Sequence, residues 1–199
     1  MAQDIILASG SAIRRQLLEN AGVSFAVQKP RVDEQSFKAA MIAEQAKPRD
    51  IADALAEMKA KRIGTKMPRS LVIGCDQVLD QDGNIMSKPE NVVEAKNQLL
   101  ALRGKKHSLL SAVVICDGPT PIWRHIGQAR LHMRAFSDSF LTDYLDRNWP
   151  TVQSSAGAYQ LEGEGIRLFS KIEGDYFSIL GLPLLEVLMY LTRRGDLKQ

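Results

Sequence analysis

Apolar residues along the chain fall into two kinds of run. Ile5 to Ala8 is short and continuous; it is followed by Ser9-Gly10-Ser11 and then by Leu17 and Leu18 ahead of Gly22. That order predicts a strand, a loop and a helix running to Gly22, with Ser11 as N-cap because its hydroxyl can accept from an orphan N–H of the first turn. "FAVQKPRV" reads as extended, and the segment from Asp33, "DEQSFKAAMIAEQA", as helical. In "PRDIADALAEMKAKRIG" the residues Ile51, Leu55, Met58 and Ile63 recur at helical spacing, with Gly64 as the stop. "SLVIGCD" is a continuous branched run of the kind found in a buried strand, and Asp82-Gly83 follows as a turn. "NVVEAKNQLLALRG" predicts a helix with Asn91 as N-cap, Glu94 three residues on and Gly104 as stop. "HSLLSAVVICDG" and "PIWRHIGQARLHMRAF" predict paired strands across "DGPTP". A helix capped by Ser137 follows, and a last one begins near Pro183 and ends at Gly195. The expected class is α/β, a mixed twisted sheet flanked by helices, with the hairpin region as a second lobe.

Composition narrows the class of protein. The 199 residues are 45% hydrophobic and 25% charged, within the range of globular chains and enough for one sizeable core. No apolar run approaches the ~20 residues that span a bilayer, and no basic-then-apolar leader is visible, so no membrane association and a cytoplasmic location are expected. Cys75 and Cys116 sit in apolar stretches and read as small buried hydrophobes. His107, His125 and His132 are scattered and form no metal-binding pair. A net charge of +3 suits an anionic ligand and is too small to argue for nucleic acid.

The residues with chemistry are few. Ser9-Gly10-Ser11 offers hydroxyls and backbone N–H groups at a helix start, which is the geometry of an anion site. Arg14 and Arg15 fall one turn in, the unfavourable end for a cation unless an anion is bound. A solvated Arg pair on the outer face of the helix is the alternative. Asp76 closes the run "LVIGCD", at what would be the carboxyl edge of a buried strand, where open α/β sheets bind ligands. A carboxylate there can ligate Mg²⁺ or orient a water, or merely cap a turn. Lys59, Lys61, Lys88 and Glu34 are unremarked singly. No P-loop, dinucleotide fingerprint or G-x-S-x-G elbow occurs.

Taken together in order, "LASGSAIRRQLL", "VDE", "LAEMKA", "GCDQV", "SKPE", "LRGKKHSLLSAV", "AGAYQLEGEG" and "IEGDYFSILGLPL" resemble the Maf family of nucleoside triphosphate pyrophosphatases over almost the whole chain. The resemblance implies one Maf-like domain over residues 1–199, elongated and two-lobed around a central cleft, related to inosine triphosphatase folds. It implies hydrolysis between the α- and β-phosphates of a nucleoside triphosphate with a divalent cation, Mg²⁺ or Mn²⁺. Carried over by position, Ser9, Ser11 and Arg14 bind phosphate, with Arg15 grouped beside them or turned to water. Glu34, Lys59 and Lys88 line the cleft, Gln77 contacts substrate, and Asp76 is the proton acceptor, sharing the metal with Glu34. A homodimer stays open, and family naming adds a non-catalytic reading as a regulator of septum formation.

Three positions depart from the commoner pattern. Ala12 stands where the family has proline and Ser111 where it has threonine. Glu162 stands where members acting on thymine or uracil nucleotides carry glutamine; together with the S-x-S-x-x-R-R spacing it resembles the branch acting on 7-methyl-GTP. A carboxylate can accept both N1–H and N2–H₂ of guanine and is favoured further by the positive charge of an N7-methylated ring. The other reading of Glu162 is a surface acid in a tight turn beside Gly163.

Overall fold

A computed structural model describes residues 3–198. Among them seven strands, β1 (Ile5–Ala8), β2 (Ala26–Val27), β3 (Leu71–Gln81), β4 (Asn84–Met86), β5 (Lys106–Asp117), β6 (Thr120–Met133) and β7 (Phe169–Glu173), form one mixed sheet of order β2-β1-β3-β5-β6-β7, with β4 paired to β3. The chain divides into two compact units, and β3, β5 and β6 contribute residues to both.

The first unit comprises residues 3–77, 110–127 and 175–198. Strand β1 (Ile5–Ala8) is fully buried and runs parallel to β2 (Ala26–Val27) and to the start of β3 (Leu71–Gln81). Buried on both sides, β1 is apolar at every position rather than alternating. Helix α1 (Ala12–Asn20) starts where expected, with the Ser11 hydroxyl accepting from the Arg14 N–H, and it ends at Asn20, two residues before the left-handed Gly22. Helix α2 (Glu34–Ala43) is capped by Asp33 and α3 spans Pro48–Gly64. Gly64 ends α3 for a reason the pattern did not carry: a Cβ there would stand 1.8 Å from the Gly118 carbonyl oxygen, so glycine is required by close packing. The outer halves of β5 (Lys106–Asp117) and β6 (Thr120–Met133) complete the sheet of this unit, and α6 (Tyr176–Ile179) and α7 (Leu184–Arg194) cover it. One apolar cluster joins Leu7, Leu18, Ile73, Ile115, Leu182 and Val187.

The second unit comprises residues 78–109 and 128–174. Its hairpin from β3 to β4 (Asn84–Met86) turns on Asp82 and Gly83, both at positive φ, the turn the sequence predicts. Helix α4 (Val92–Leu102) is capped by Asn91, and the Glu94 carboxylate accepts from the Glu90 N–H rather than from that of the N-cap. Helix α5 (Asp138–Asn148) and strand β7 (Phe169–Glu173), antiparallel to β6, complete it. β7 and the short α6 escape the sequence reading, because neither has enough residues to show a period.

In this unit His107 is 3% exposed and its Nε2 lies 2.7 Å from the Tyr159 hydroxyl, while Nδ1 has no partner among the described residues. Burial lowers its pKa from 6.5 to about 4, so the fold holds a neutral imidazole. The unfolded chain therefore takes up a proton near pH 6.5 that the folded chain refuses until about pH 4. Stability is complete above 6.5 and is lost as pH falls through that window, by roughly 3 kcal/mol in all. Urea unfolding between pH 7 and pH 4 should show this loss in the native protein and a shallower one in His107→Gln. Parallel curves for the two proteins would contradict it.

Candidate active site

The parallel part of the sheet ends where the register pairs Ala8 with Gly74. Continuing that register, the Ser9-Gly10-Ser11 loop lies beside Cys75 and Asp76. Asp76 does not end β3 as the apolar run suggested; the strand continues to Gln81, because Val78 and Leu79 extend its buried face and β4 pairs with its far end. It nonetheless stands just past the carboxyl end of β1, the edge at which α/β sheets bind ligands.

Helix α3 delivers Lys59 to this edge. Ile51, Leu55, Lys59 and Ile63 recur every four residues and are all buried, so the lysine occupies a place in the core-facing stripe, whereas Met58, expected there, is only half-buried. Lys61 is about 200° further round the helix and pairs with Glu57 on the outer face, at 2.5 Å. The helix lies very close to β3: a Cβ on Gly74 would stand 2.3 Å from the Ala56 carbonyl oxygen and 2.8 Å from the Ala60 Cβ. At that spacing the Lys59 ammonium reaches Asp76 Oδ1 at 2.6 Å and, from α2, Glu34 Oε2 at 2.7 Å. The side chains of Lys59 and Asp76 are 8% and 11% exposed and that of Glu34 is 48%, so the triad opens to solvent on the Glu34 side. Lys38, one turn beyond Glu34 on α2, is half-buried; burial lowers its pKa and the charge of Asp76 works against that shift.

Arg14 resolves the oddity of a cation at the start of α1. Its Nε donates to the Gly181 carbonyl at 2.7 Å, and one terminal nitrogen donates to the Cys75 carbonyl at 3.0 Å and lies 3.5 Å from the Ser9 hydroxyl. Gly181 sits at φ +94°, which disfavours a side chain, and a Cβ there would press on the guanidinium at 3.0 Å. The Ser9 hydroxyl, itself buried, accepts from the Ser11 N–H at 3.2 Å. Arg15 does not join Arg14. It is exposed and lies 3.5 Å from Glu19 on the outer face of α1, the solvent alternative of the sequence reading.

Gln77 is likewise engaged within the protein. Its amide nitrogen donates to the Ser111 hydroxyl at 2.8 Å and to the carbonyls of Ile179 and Ser178 at 2.9 and 3.1 Å. Ser111, fully buried, donates to the Ser178 carbonyl at 2.5 Å, so serine supplies the hydroxyl that threonine would. Ala12 is the first residue of α1, where a proline would also fit because that N–H has no intrahelical partner. Burial raises the Cys75 thiol to about 11, so it stays protonated and is no nucleophile.

The remaining two residues lie in the second unit. Lys88 is exposed in the segment after β4, and Glu162 is exposed in the turn before Glu164–Leu168, with no hydrogen bond or ion pair among the described residues. Its neighbour Glu164, by contrast, is bound by Arg147, Asn148 and Arg167, and those contacts lower its pKa to about 2.

For a divalent cation the donor set is two carboxylates. Among the described residues no three His, Cys, Asp or Glu gather into a metal cluster. Asp76 and Glu34 already share one positive charge, in the Lys59 ammonium. This suits a hard ion such as Mg²⁺ or Mn²⁺, which needs one or two carboxylates and takes its other ligands from water and phosphate.

A family model described as "Maf-like protein" matches residues 4–194. A protein of Ruegeria pomeroyi named nucleoside triphosphate pyrophosphatase is 57% identical over 98% of each chain. One of the same name from Caulobacter vibrioides is 50% identical over 97% of this chain and 96% of its own. A 7-methyl-GTP pyrophosphatase of Rhizobium etli is 43% identical over 99% of each.

Gly74 is what allows α3 its close approach. Gly74→Ala should lower stability by about 1–3 kcal/mol, the usual cost of overpacking a filled core, and should draw Lys59 away from Asp76. Urea denaturation measures the first effect; an unchanged midpoint would mean that the helix is not held at this height by the glycine.

Proposed function

The chain belongs to the Maf family, and from that premise we propose that it hydrolyses nucleoside triphosphates between the α- and β-phosphates, releasing a nucleoside monophosphate and pyrophosphate. The observation that carries the reading is the 57% identity, over 98% of both chains, to a protein named nucleoside triphosphate pyrophosphatase. It is an enzyme reading, and it is favoured over a regulator without turnover. The site of the first unit supports it with an anion-binding loop, a fixed guanidinium and a carboxylate at one sheet edge.

In this reading the Ser9-Gly10-Ser11 loop and the N–H groups opening α1 receive phosphate oxygens. Arg14, held by two carbonyls, supplies a positive charge that does not reorganise during the reaction. Asp76 takes a proton from the attacking water. The water oxygen bonds to phosphorus, the bond to the oxygen bridging the α- and β-phosphates breaks, and pyrophosphate leaves with that electron pair. Lys59, 2.6 Å from Asp76 Oδ1, holds the carboxylate in place for this role. Asp76 and Glu34 would hold Mg²⁺ or Mn²⁺, which when bound offsets phosphate charge and polarises the phosphoryl group. A cytoplasmic location goes with this substrate and with the two unpaired, buried cysteines.

Asp76→Asn should reduce pyrophosphate release by 10² to 10⁴-fold, the range for removing a general base, while nucleotide binding persists. Turnover within a few-fold of the native enzyme would remove Asp76 from the role.

Glu162 supports a narrower reading of base preference. Its carboxylate is exposed and makes no hydrogen bond or ion pair among the described residues, so it can accept the N1–H and N2–H₂ of a guanine, and an N7-methyl cation strengthens the contact. A substrate panel should then rank 7-methyl-GTP first and Glu162→Gln should move the preference toward UTP or dTTP. A native enzyme that hydrolyses UTP and dTTP best would exclude this preference and leave the pyrophosphatase activity standing.

A further inference from the structure

The parallel sheet edge carries one more cation, from β2. The register pairs Leu7 with Val27, and the Gln28 N–H continues the ladder by donating to the Leu7 carbonyl at 3.0 Å. Lys29 therefore leaves β2 at the level where Ser9 leaves β1. Its side chain is exposed, yet its stem lies against the loop rather than standing away from it. The Cγ, Cδ and Cε atoms lie 3.2, 3.3 and 2.4 Å from the place a Cβ of residue 10 would take, so the side chain crosses the phosphate loop in the space left by Gly10. Gly10 is not at positive φ, so its backbone does not demand glycine. What occupies the missing side chain's volume is the lysine.

The other cations of this edge are committed. Lys59 is balanced by two carboxylates, and Arg14 spends its Nε and one terminal nitrogen on carbonyls. Lys29 makes no ion pair or hydrogen bond among the described residues. An uncompensated ammonium laid across a serine loop at a helix start, where the helix itself is positive, gains energy only when an anion arrives. A triphosphate brings about four negative charges to this loop.

We propose that Lys29 is a substrate-binding residue, its ammonium contacting the phosphate chain of the nucleoside triphosphate, and that Gly10 is the residue that lets it reach. This rests on the pyrophosphatase reading for the identity of the ligand. The contact is made in the ground state and with the pyrophosphate product alike, so it acts on KM more than on kcat.

Lys29→Met keeps the apolar stem and removes the charge. Its KM for the best nucleotide should rise about tenfold, equivalent to 1.4 kcal/mol, with kcat within about twofold and the thermal midpoint unchanged. Lys29→Arg should restore KM. Gly10→Ala displaces only the flexible end of Lys29, so it should fold and raise KM in the same direction. Calorimetric titration with inorganic pyrophosphate and Mg²⁺ should show the same tenfold weakening in Lys29→Met. Unchanged KM and unchanged pyrophosphate affinity in that variant would overturn the proposal, as would a loss of kcat alone. The two readings separate cleanly. If the native protein releases no pyrophosphate from any triphosphate, the function falls, while pyrophosphate binding weakened by Lys29→Met would still support the phosphate contact; intact turnover with KM unmoved in Lys29→Met would overturn the contact and leave the function standing.

Discussion

The first unit is organised around one ammonium group. Removing a lysine head from water costs several kcal/mol unless it is paired and hydrogen-bonded, and Lys59 is 6% exposed. Asp76 and Glu34 meet that requirement from a strand and from a second helix, so three elements are held by one charge. The arrangement constrains backbone as well as side chains. Lys59 reaches Asp76 only because α3 lies against β3 at Gly74, where its main chain replaces a side chain. A helix set outward by a Cβ would stretch the Lys59–Asp76 pair and leave Lys59 to Glu34.

A second constraint acts at the turn between α6 and α7. The carbonyls of Ile179 and Gly181 take side-chain donors, and that of Ser178 takes them in addition to the Gly181 N–H at 3.1 Å. Gln77 supplies Ile179, Gln77 and Ser111 supply Ser178, and Arg14 supplies Gly181. The same groups adjoin the Ser9-Gly10-Ser11 loop, since Arg14 bridges the Cys75 carbonyl, the Ser9 hydroxyl and Gly181. The loop is therefore set before any ligand arrives, and preorganised donors are what stabilise developing charge most effectively.

Much of this was legible in the residues, and the gaps have physical causes. Helix starts at Ser11, Asn91 and Ser137 follow from side chains that can accept a first-turn N–H, and each does so. The Asp82-Gly83 turn follows from two residues tolerant of positive φ. The apolar run understates β3 because Asp76 and Gln77 interrupt it, yet a strand buried along its length can carry polar residues where its neighbour β1 stops. Lys59 was visible as a charged residue at a core-facing position; reading Met58 into the stripe in its place concealed that signal. Glycines were ambiguous in a different way. Gly64, Gly74 and Gly10 look alike in sequence, but each is fixed by what approaches it, respectively a carbonyl, a helix and a lysine stem. Such approaches are tertiary and have no local pattern.

Arg14 and Arg15 show why adjacent identical residues diverge. One helical step turns the side chain by about 100°, enough to send Arg14 toward the carbonyls of Cys75 and Gly181 and Arg15 toward Glu19 and water. Only the first is held, and only a held cation at a positive helix end requires an explanation. Its two carbonyl acceptors lower the cost of placing it there without cancelling its charge, unlike the carboxylates around Lys59. The sheet edge is thus left with fixed positive charge beside a loop of hydroxyl and N–H groups, and with two carboxylates that share the single charge of Lys59. That division, carboxylates gathered on a buried lysine and a guanidinium held only by carbonyls, places groups of opposite character side by side at one edge.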